Sequence, residues 1–157
     1  MKARRLLRHL WKSERGTQMI EFAFALPFLL LLFAGVAELG RMFYTYTTLA
    51  KATRAGARYA STQLTVAGDD LTHIKNMTVC GYTTGCDGTG QPTAVVSGLS
   101  SSNVTVSTRT VSSIQYVSVT ITYNYTPLIF DLAAMTGSQS VSLSKTFTPS
   151  TEMRFMN

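Results

Sequence analysis

The chain has 157 residues, of which 45% are hydrophobic and only 14% charged, and its formal net charge is +6. Six basic residues and one acid lie within the first fifteen positions, so this arm carries +5 and the other 142 residues carry only +1. A nucleic-acid-binding protein spreads its basic residues over a folded face, so we expect no nucleic acid as a partner. Basic residues beside an apolar segment instead predict a cytoplasmic arm that contacts anionic lipid.

An uncharged apolar run, FAFALPFLLLLFAGVA, follows the arm from Phe22 to Ala37. Its Phe, Leu and Val content predicts insertion into a lipid bilayer with the N-terminus in the cytoplasm. Sixteen residues make only about 24 Å of helix, whereas the hydrocarbon core is about 30 Å thick. We therefore predict a single transmembrane helix over about residues 19–41, with Glu38 and Arg41 forming an i, i+3 pair at the outer interface.

Two residues at the start of this run are unexpected in a simple anchor. Glu21 lies about one turn inside the membrane edge, where an unpaired carboxylate costs about 2.5 to 3.5 kcal/mol. Such an acid indicates a partner. Pro27 interrupts the helix and can kink it, with either no further role or a role in packing against another helix.

Helical periodicity continues beyond the membrane and predicts one rod over residues 17–63. The spacing of three and four residues is kept by an apolar stripe: Leu39, Met42, Phe43, Tyr46, Leu49, Ala50, Thr53, Ala57 and Ala60. Lys51, Arg54 and Arg58 fall on another face, either solvated or touching lipid phosphates. We expect the stripe to pack on the chain's own domain, with a neighbouring subunit as the alternative.

Residues 64–157 are rich in Ser, Thr and Gly and show the alternation of strands. We predict strands over residues 103–111, 116–126 and 141–148, a short helix capped by Asp69 or Asp70, and another over 128–135. The expected fold is α+β: a long helix packed against one small antiparallel sheet in an extracytoplasmic domain.

The two cysteines lie close together in the segment CGYTTGC, as Cys80 and Cys86. Outside the cytoplasm a disulfide is the favoured interpretation, because zinc would lack two ligands there. His73 has no nucleophile motif beside it, and the sequence has no P-loop, GxGxxG or HExxH pattern. We therefore expect no catalytic residues, no metal and no cofactor, and a protein that is not an enzyme.

The segments RGTQMIEFAFALP, GVAELGR and AKATRAGARYA strongly resemble the TadE-like family, the minor pilins or pseudopilins of bacterial tight-adherence (type IVc) pilus systems. The resemblance covers about residues 15–60, and its specific part is Gly16 with Glu21 at the fifth position after it. Further matching positions are Pro27, Gly35, Glu38, Arg54 and Arg58.

The resemblance implies a prepilin held in the bacterial inner membrane, involved in surface adhesion and cut by a prepilin peptidase between Gly16 and Thr17. Removal of the basic leader, residues 1–16, would expose a new amine that Glu21 of a neighbouring subunit could neutralise. Glu21 and Pro27 are then candidate assembly residues. The implied partners are the peptidase, other pilin subunits, the assembly platform and the bilayer, and the extra domain favours a minor component.

Two alternatives remain open on the sequence alone. The chain could be an uncut single-pass anchor that presents a β-rich binding module, in which case Glu21 could be replaced freely. The residues Gly35, Val36 and Ala37 also satisfy the small-residue rule of a secretory signal peptidase, which would release a soluble protein beginning at Glu38.

Overall fold

The computed structural model of the chain describes residues 14–63, 66–84, 86, 93–128 and 144–156. Its longest described element is helix α1, Glu14–Ala60, which is 47 residues long and contains Pro27. The helix ends where Ser61 donates its backbone N–H to the carbonyl of Ala57 and its hydroxyl to the carbonyl of Arg58. A rod of this length is about 70 Å long, more than twice the thickness of a bilayer core.

The two halves of α1 have different surroundings. Residues 16–33 are exposed on every side, including large side chains such as Phe24, Phe28 and Phe33 at 73%, 76% and 74% exposure. The most apolar 18-residue window has a mean hydropathy of 2.3, and none of it is buried. Among the described residues this is one helix long and apolar enough to cross a membrane, which fits a single-pass anchor.

The C-terminal half of α1 is covered on one face by the rest of the chain. The buried residues recur at helical spacing: Glu38, Thr45, Leu49, Ala52, Thr53, Gly56, Ala57 and Ala60. This pattern places one continuous inner face against the domain, from the end of the apolar run to the end of the helix.

Helix α2, Gly68–Cys80, packs against α1 at a glycine. A Cβ placed on Gly56 would collide with the hydroxyl oxygen of Thr78, so the small residue permits the close approach of the two helices. The prediction that Asp69 or Asp70 caps this helix is wrong: Ala67 occupies the N-cap without a side-chain hydrogen bond, and both acids lie in the first turn of α2. Gly81 ends the helix in the left-handed conformation, with φ of 78°, and its N–H bonds to the carbonyl of Met77 at 3.0 Å.

Among the described residues, five strands follow a short 3₁₀ turn at Ser101–Asn103. They are β1 Val104–Val111, β2 Ile114–Ile121, β3 Tyr123–Tyr125, β4 Lys145–Phe147 and β5 Ser150–Arg154. The order β1-β2-β5 makes a three-stranded antiparallel sheet, and β3 and β4 form a separate antiparallel pair. Ser112 and Ser113, with φ of 51° and 66°, make the tight turn between β1 and β2.

The α+β class is confirmed, but the expectation of a single sheet is wrong. The predicted strand over residues 116–126 is divided at Thr122, whose N–H and carbonyl bond to Asn103 instead of a neighbouring strand. On the partner side Pro149 has no N–H to donate, and it separates β4 from β5. Residues 129–143 lie outside the described chain, and with them most of the predicted helix over 128–135 and the start of the predicted strand over 141–148.

The core lies between α1, α2 and the inner face of the three-stranded sheet. Val117, Val119 and Ile121 of β2 are fully buried, as their alternation predicts. Opposite them, the hydroxyls of Thr53 on α1 and Thr151 on β5 bond to each other at 2.9 Å. The sheet is therefore attached to the helix by apolar packing and by a partly buried polar contact.

Candidate functional site

The sequence-predicted processing residues lie on the first turns of α1. Gly16 and Thr17 are exposed, and nothing lies within 4 Å of a Cβ built on Gly16. Glu21 follows Thr17 by four residues, so it lies on the same helix face, about 6 Å further along the axis. The three residues thus form one accessible segment below the apolar run.

Glu21 has no hydrogen bond or ion pair to any described residue, and its side chain is exposed. In a bilayer this carboxylate would require a partner, since an isolated charge at the membrane edge is costly. The described part of the chain offers none within reach, because the folded domain contacts the other half of α1. A partner would have to come from outside the described residues, for example from another molecule.

Pro27 is also exposed within the continuous helix. Its ring removes one backbone donor and frees a carbonyl from the ladder. No part of the described domain covers this position, which leaves it open to lipid or to another helix.

A second cluster lies where α1 leaves the apolar run, and we name it the outer network: Glu38, Arg41, Tyr125, Thr126 and Leu128. Glu38 is only 3% exposed. Its carboxylate accepts hydrogen bonds from the Arg41 guanidinium at 3.2 and 3.3 Å, from the Leu128 N–H at 3.2 Å and from the Tyr125 hydroxyl. Arg41 also donates to the carbonyl of Thr126 at 2.7 Å. The network therefore joins the helix to the end of β3.

Aromatic packing reinforces this junction. The Arg41 guanidinium lies over the Tyr125 ring, 5.1 Å from its centre. The ring of Phe147, on β4, packs against Tyr125 at 5.7 Å and against Tyr46 of α1 at 5.5 Å. Burial, and then the hydrogen bond to Glu38, raises the pKa of Tyr125, so its hydroxyl remains a donor at neutral pH.

The predicted pairing of Glu38 with Arg41 is confirmed, but sequence reasoning missed its other partners. Tyr125 is 87 positions away from Glu38, and no local pattern links the two. The sequence did contain a chemical signal. Glu38 is an acid beside an apolar run and so needs hydrogen-bond donors, and tyrosines that could donate lie at the end of the predicted strand over residues 116–126. Tyr44, one turn beyond Arg41, is 72% exposed on the helix surface.

The apolar stripe of α1 is divided between two environments. Leu49, Thr53, Ala57 and Ala60 are buried against the chain's own domain, as the first of the two interpretations expects. Leu39, Phe43 and Tyr46 are 47%, 62% and 45% exposed. Lys51, Arg54 and Arg58 are exposed on the opposite face and form no ion pair within the described residues.

Cys80 and Cys86 are joined at the end of α2, with their Cα atoms 6.1 Å apart, which is within the disulfide range. The bridge closes a loop of six-residue separation directly after the left-handed Gly81. The bridge constrains the loop that follows α2, so it is a structural feature of the folded domain.

Comparison with known families gives a match over α1. The family model described as "TadE-like protein" matches residues 16–58, which covers most of α1, from Gly16 to Arg58. No curated protein and no solved structure matches the chain. The matched family is associated with tight-adherence pili, and the match includes Glu21, Pro27 and the helical half of the outer network. The predicted resemblance is thus confirmed over this helix, where residues 16–58 are similar to the TadE-like family.

Proposed function

We propose that this protein is a minor pilin or pseudopilin of a tight-adherence (type IVc) pilus that functions in surface adhesion. In this proposal it is a structural or assembly subunit without catalytic activity. It is inserted in the bacterial inner membrane with its arm in the cytoplasm and its domain outside, and a prepilin peptidase cuts it between Gly16 and Thr17. The observation that carries the proposal is Glu21, a charged side chain on a bare apolar helix, without a partner in the described chain.

The arrangement of α1 supports an intermolecular role for this acid. After cleavage the amine of Thr17 would lie one turn from its own Glu21, at the end of a helix whose surface is uncovered for about 18 residues. Two such helices packed side by side would bring the amine of one against the carboxylate of the other. The pair would remove the cost of both charges at the membrane edge.

The folded domain supports a subunit that assembles as one unit. Among the described residues the first buried position of α1 is Glu38, so the helix below is available to neighbours and to the assembly platform. The outer network and the core hold the domain on a single continuous helix. Movement of the helix would therefore move the domain with it.

Processing is tested by intact-mass analysis of the protein purified from the membranes of its host. We expect a mature chain that begins at Thr17. A chain that keeps its arm would support the uncut anchor with a β-rich binding module, and a chain that begins at Glu38 would support the secretory alternative. Gly16→Leu should abolish the cut, because the accessible glycine would be replaced by a bulky side chain, whereas Gly40→Ala, in an equally open position further along α1, should not.

The role of Glu21 is tested separately from processing. Glu21→Ala should leave insertion and cutting intact but reduce pili strongly, because the lost charge matters only between subunits. Asp69→Asn, which removes one exposed carboxylate from α2, is the matched control and should leave pili unchanged. Normal pilus numbers in the Glu21→Ala strain would contradict the proposal.

A further inference from the structure

The outer face of the three-stranded sheet, which is turned away from α1, carries a row of charged and aromatic side chains. Arg109 of β1 is directly opposite Tyr116 of β2, and Tyr116 is directly opposite Arg154 of β5. Residues that face each other across antiparallel strands point to the same side of the sheet. Tyr116 therefore lies between two arginines on the side away from the core.

One of the two arginines is paired and the other is not. Arg109 donates to both carboxylate oxygens of Glu152, at 2.8 and 3.2 Å, and its guanidinium lies 5.8 Å from the centre of the Tyr116 ring. Arg154 is exposed and forms no ion pair within the described residues. The row thus holds two guanidiniums and one carboxylate, which leaves it with net positive charge.

These side chains surround a shallow depression. Arg109, Val111, Tyr116, Glu152 and Arg154 line a cavity of about 310 Å³. Its size suits one or two sugar rings, and its charge favours an anion beside Arg154. Because the Arg109–Glu152 pair holds one wall in place, a ligand would meet groups that are already positioned.

Hydroxyl groups continue the same face next to the depression. Ser118 and Thr120 of β2 bond to the hydroxyl of Ser150 on β5, at 3.3 and 2.9 Å. An aromatic ring can contact the C–H face of a sugar, while a carboxylate and hydroxyls can bond to its OH groups. Arginine adds recognition of a carboxylate.

We propose that this outer face binds a saccharide that bears carboxylate groups. Arg154 pairs with a carboxylate of the sugar, Tyr116 contacts the ring, and Glu152 accepts a hydrogen bond from a sugar hydroxyl. The site is separate from the membrane helix and does not depend on processing or on assembly, so its test is independent of the pilin proposal.

The probe is a trimer of galacturonic acid, measured by calorimetry against the full chain in nanodiscs of uncharged lipid at physiological salt. A trimer of galactose is the matched neutral ligand. We expect the acidic trimer to bind at least tenfold more tightly than the neutral one, because only the acidic trimer can pair with Arg154.

Variants separate this site from the basic arm, which also attracts anions. Arg154→Gln and Tyr116→Ala should each weaken binding of the acidic trimer by about tenfold or more. Arg58→Gln removes the same charge from an exposed position on α1 and should leave binding unchanged. Because Arg154 is exposed, its replacement should not alter the circular dichroism of the folded domain.

Three results would overturn the assignment. The first is equal affinity for the galactose trimer, since this would remove the role of the carboxylate. The second is an equal loss of binding in Arg58→Gln, since attraction would then be unspecific. The third is equal or tighter binding of a glutamate tripeptide, which would assign the face to acidic peptides.

Discussion

Glu38 shows how one residue determines where the domain is attached. A carboxylate that is 3% exposed would be strongly destabilising if it were alone. Here it accepts hydrogen bonds from a guanidinium, a phenol and a backbone N–H, so its charge is compensated by groups from two distant parts of the chain. Attachment of the domain is the condition under which this acid can be buried.

Replacement of Tyr125 by Phe tests this compensation without changing the size of the core. The variant loses the hydrogen bond to Glu38 and the one from Arg41, so we expect the domain to lose about 1.5 to 3 kcal/mol of stability at pH 8. This loss is measured by urea unfolding of the protein in nanodiscs, with near-ultraviolet circular dichroism as the readout. Tyr44→Phe, at an exposed position, is the control and should have no effect.

The difference in stability between the wild type and Tyr125→Phe should depend on pH. The pKa of Tyr125 is raised in the folded state, first by burial and then by its bond to Glu38. This contribution to stability is therefore complete below the unfolded value of about 10 and is lost as the pH rises through the raised folded pKa. The difference between wild type and Tyr125→Phe should shrink as the pH rises above 10. A constant difference would show that the hydroxyl is not buried as a donor.

At the scale of elements, the packing of α1 against α2 depends on one glycine. Gly56→Ala places a methyl group into the Thr78 hydroxyl, so we expect a loss of about 1 to 3 kcal/mol in domain stability. A Cβ added at Gly40 on the same helix would have no atom within 4 Å. Because alanine has the better helix propensity, Gly40→Ala should leave the stability of the domain unchanged or raise it. Equal unfolding curves for the two variants would contradict the close packing.

The sequence predicts the elements whose signals are local and misses those determined by distant partners. The apolar run, the periodicity to Ala60 and the alternation of Val117, Val119 and Ile121 need no knowledge of the fold. β5 has the sequence STEMR, which is too short and polar to indicate a strand, and it is one only because β2 pairs with it. The break at Thr122 likewise depends on Asn103, nineteen positions earlier.

The candidate sites divide in the same way. Glu21 and Pro27 could be singled out because an acid and a proline are unexpected in an apolar helix, and Gly16 and Thr17 because the family resemblance implies a cut there. The outer network and the row of Arg109, Tyr116 and Arg154 could not, since each combines residues from elements that are adjacent only in the folded chain. The periodicity of the sequence does not predict the register in which the three strands pair.

At the scale of the whole molecule, the decisive property is that the membrane helix and the support of the domain are one rod. Each residue of an α-helix rotates by about 100° and rises by about 1.5 Å. The direction in which Glu21 points relative to the sheet is therefore set by the sixteen residues between it and Glu38. If neighbouring subunits contact both regions, this angle must match their arrangement.

Insertion of alanine between Gly35 and Val36 tests this relation. One added residue rotates Glu21 by about 100° relative to the domain, whereas four added residues rotate it by a net of about 40° while lengthening the rod by about 6 Å. We expect both variants to be cut at Gly16, because the processing segment is unchanged. Pilus counts by electron microscopy should fall sharply with one alanine and recover in part with four. If the single insertion assembles as well as wild type, Glu21 and the domain act independently, and the rod is only a tether.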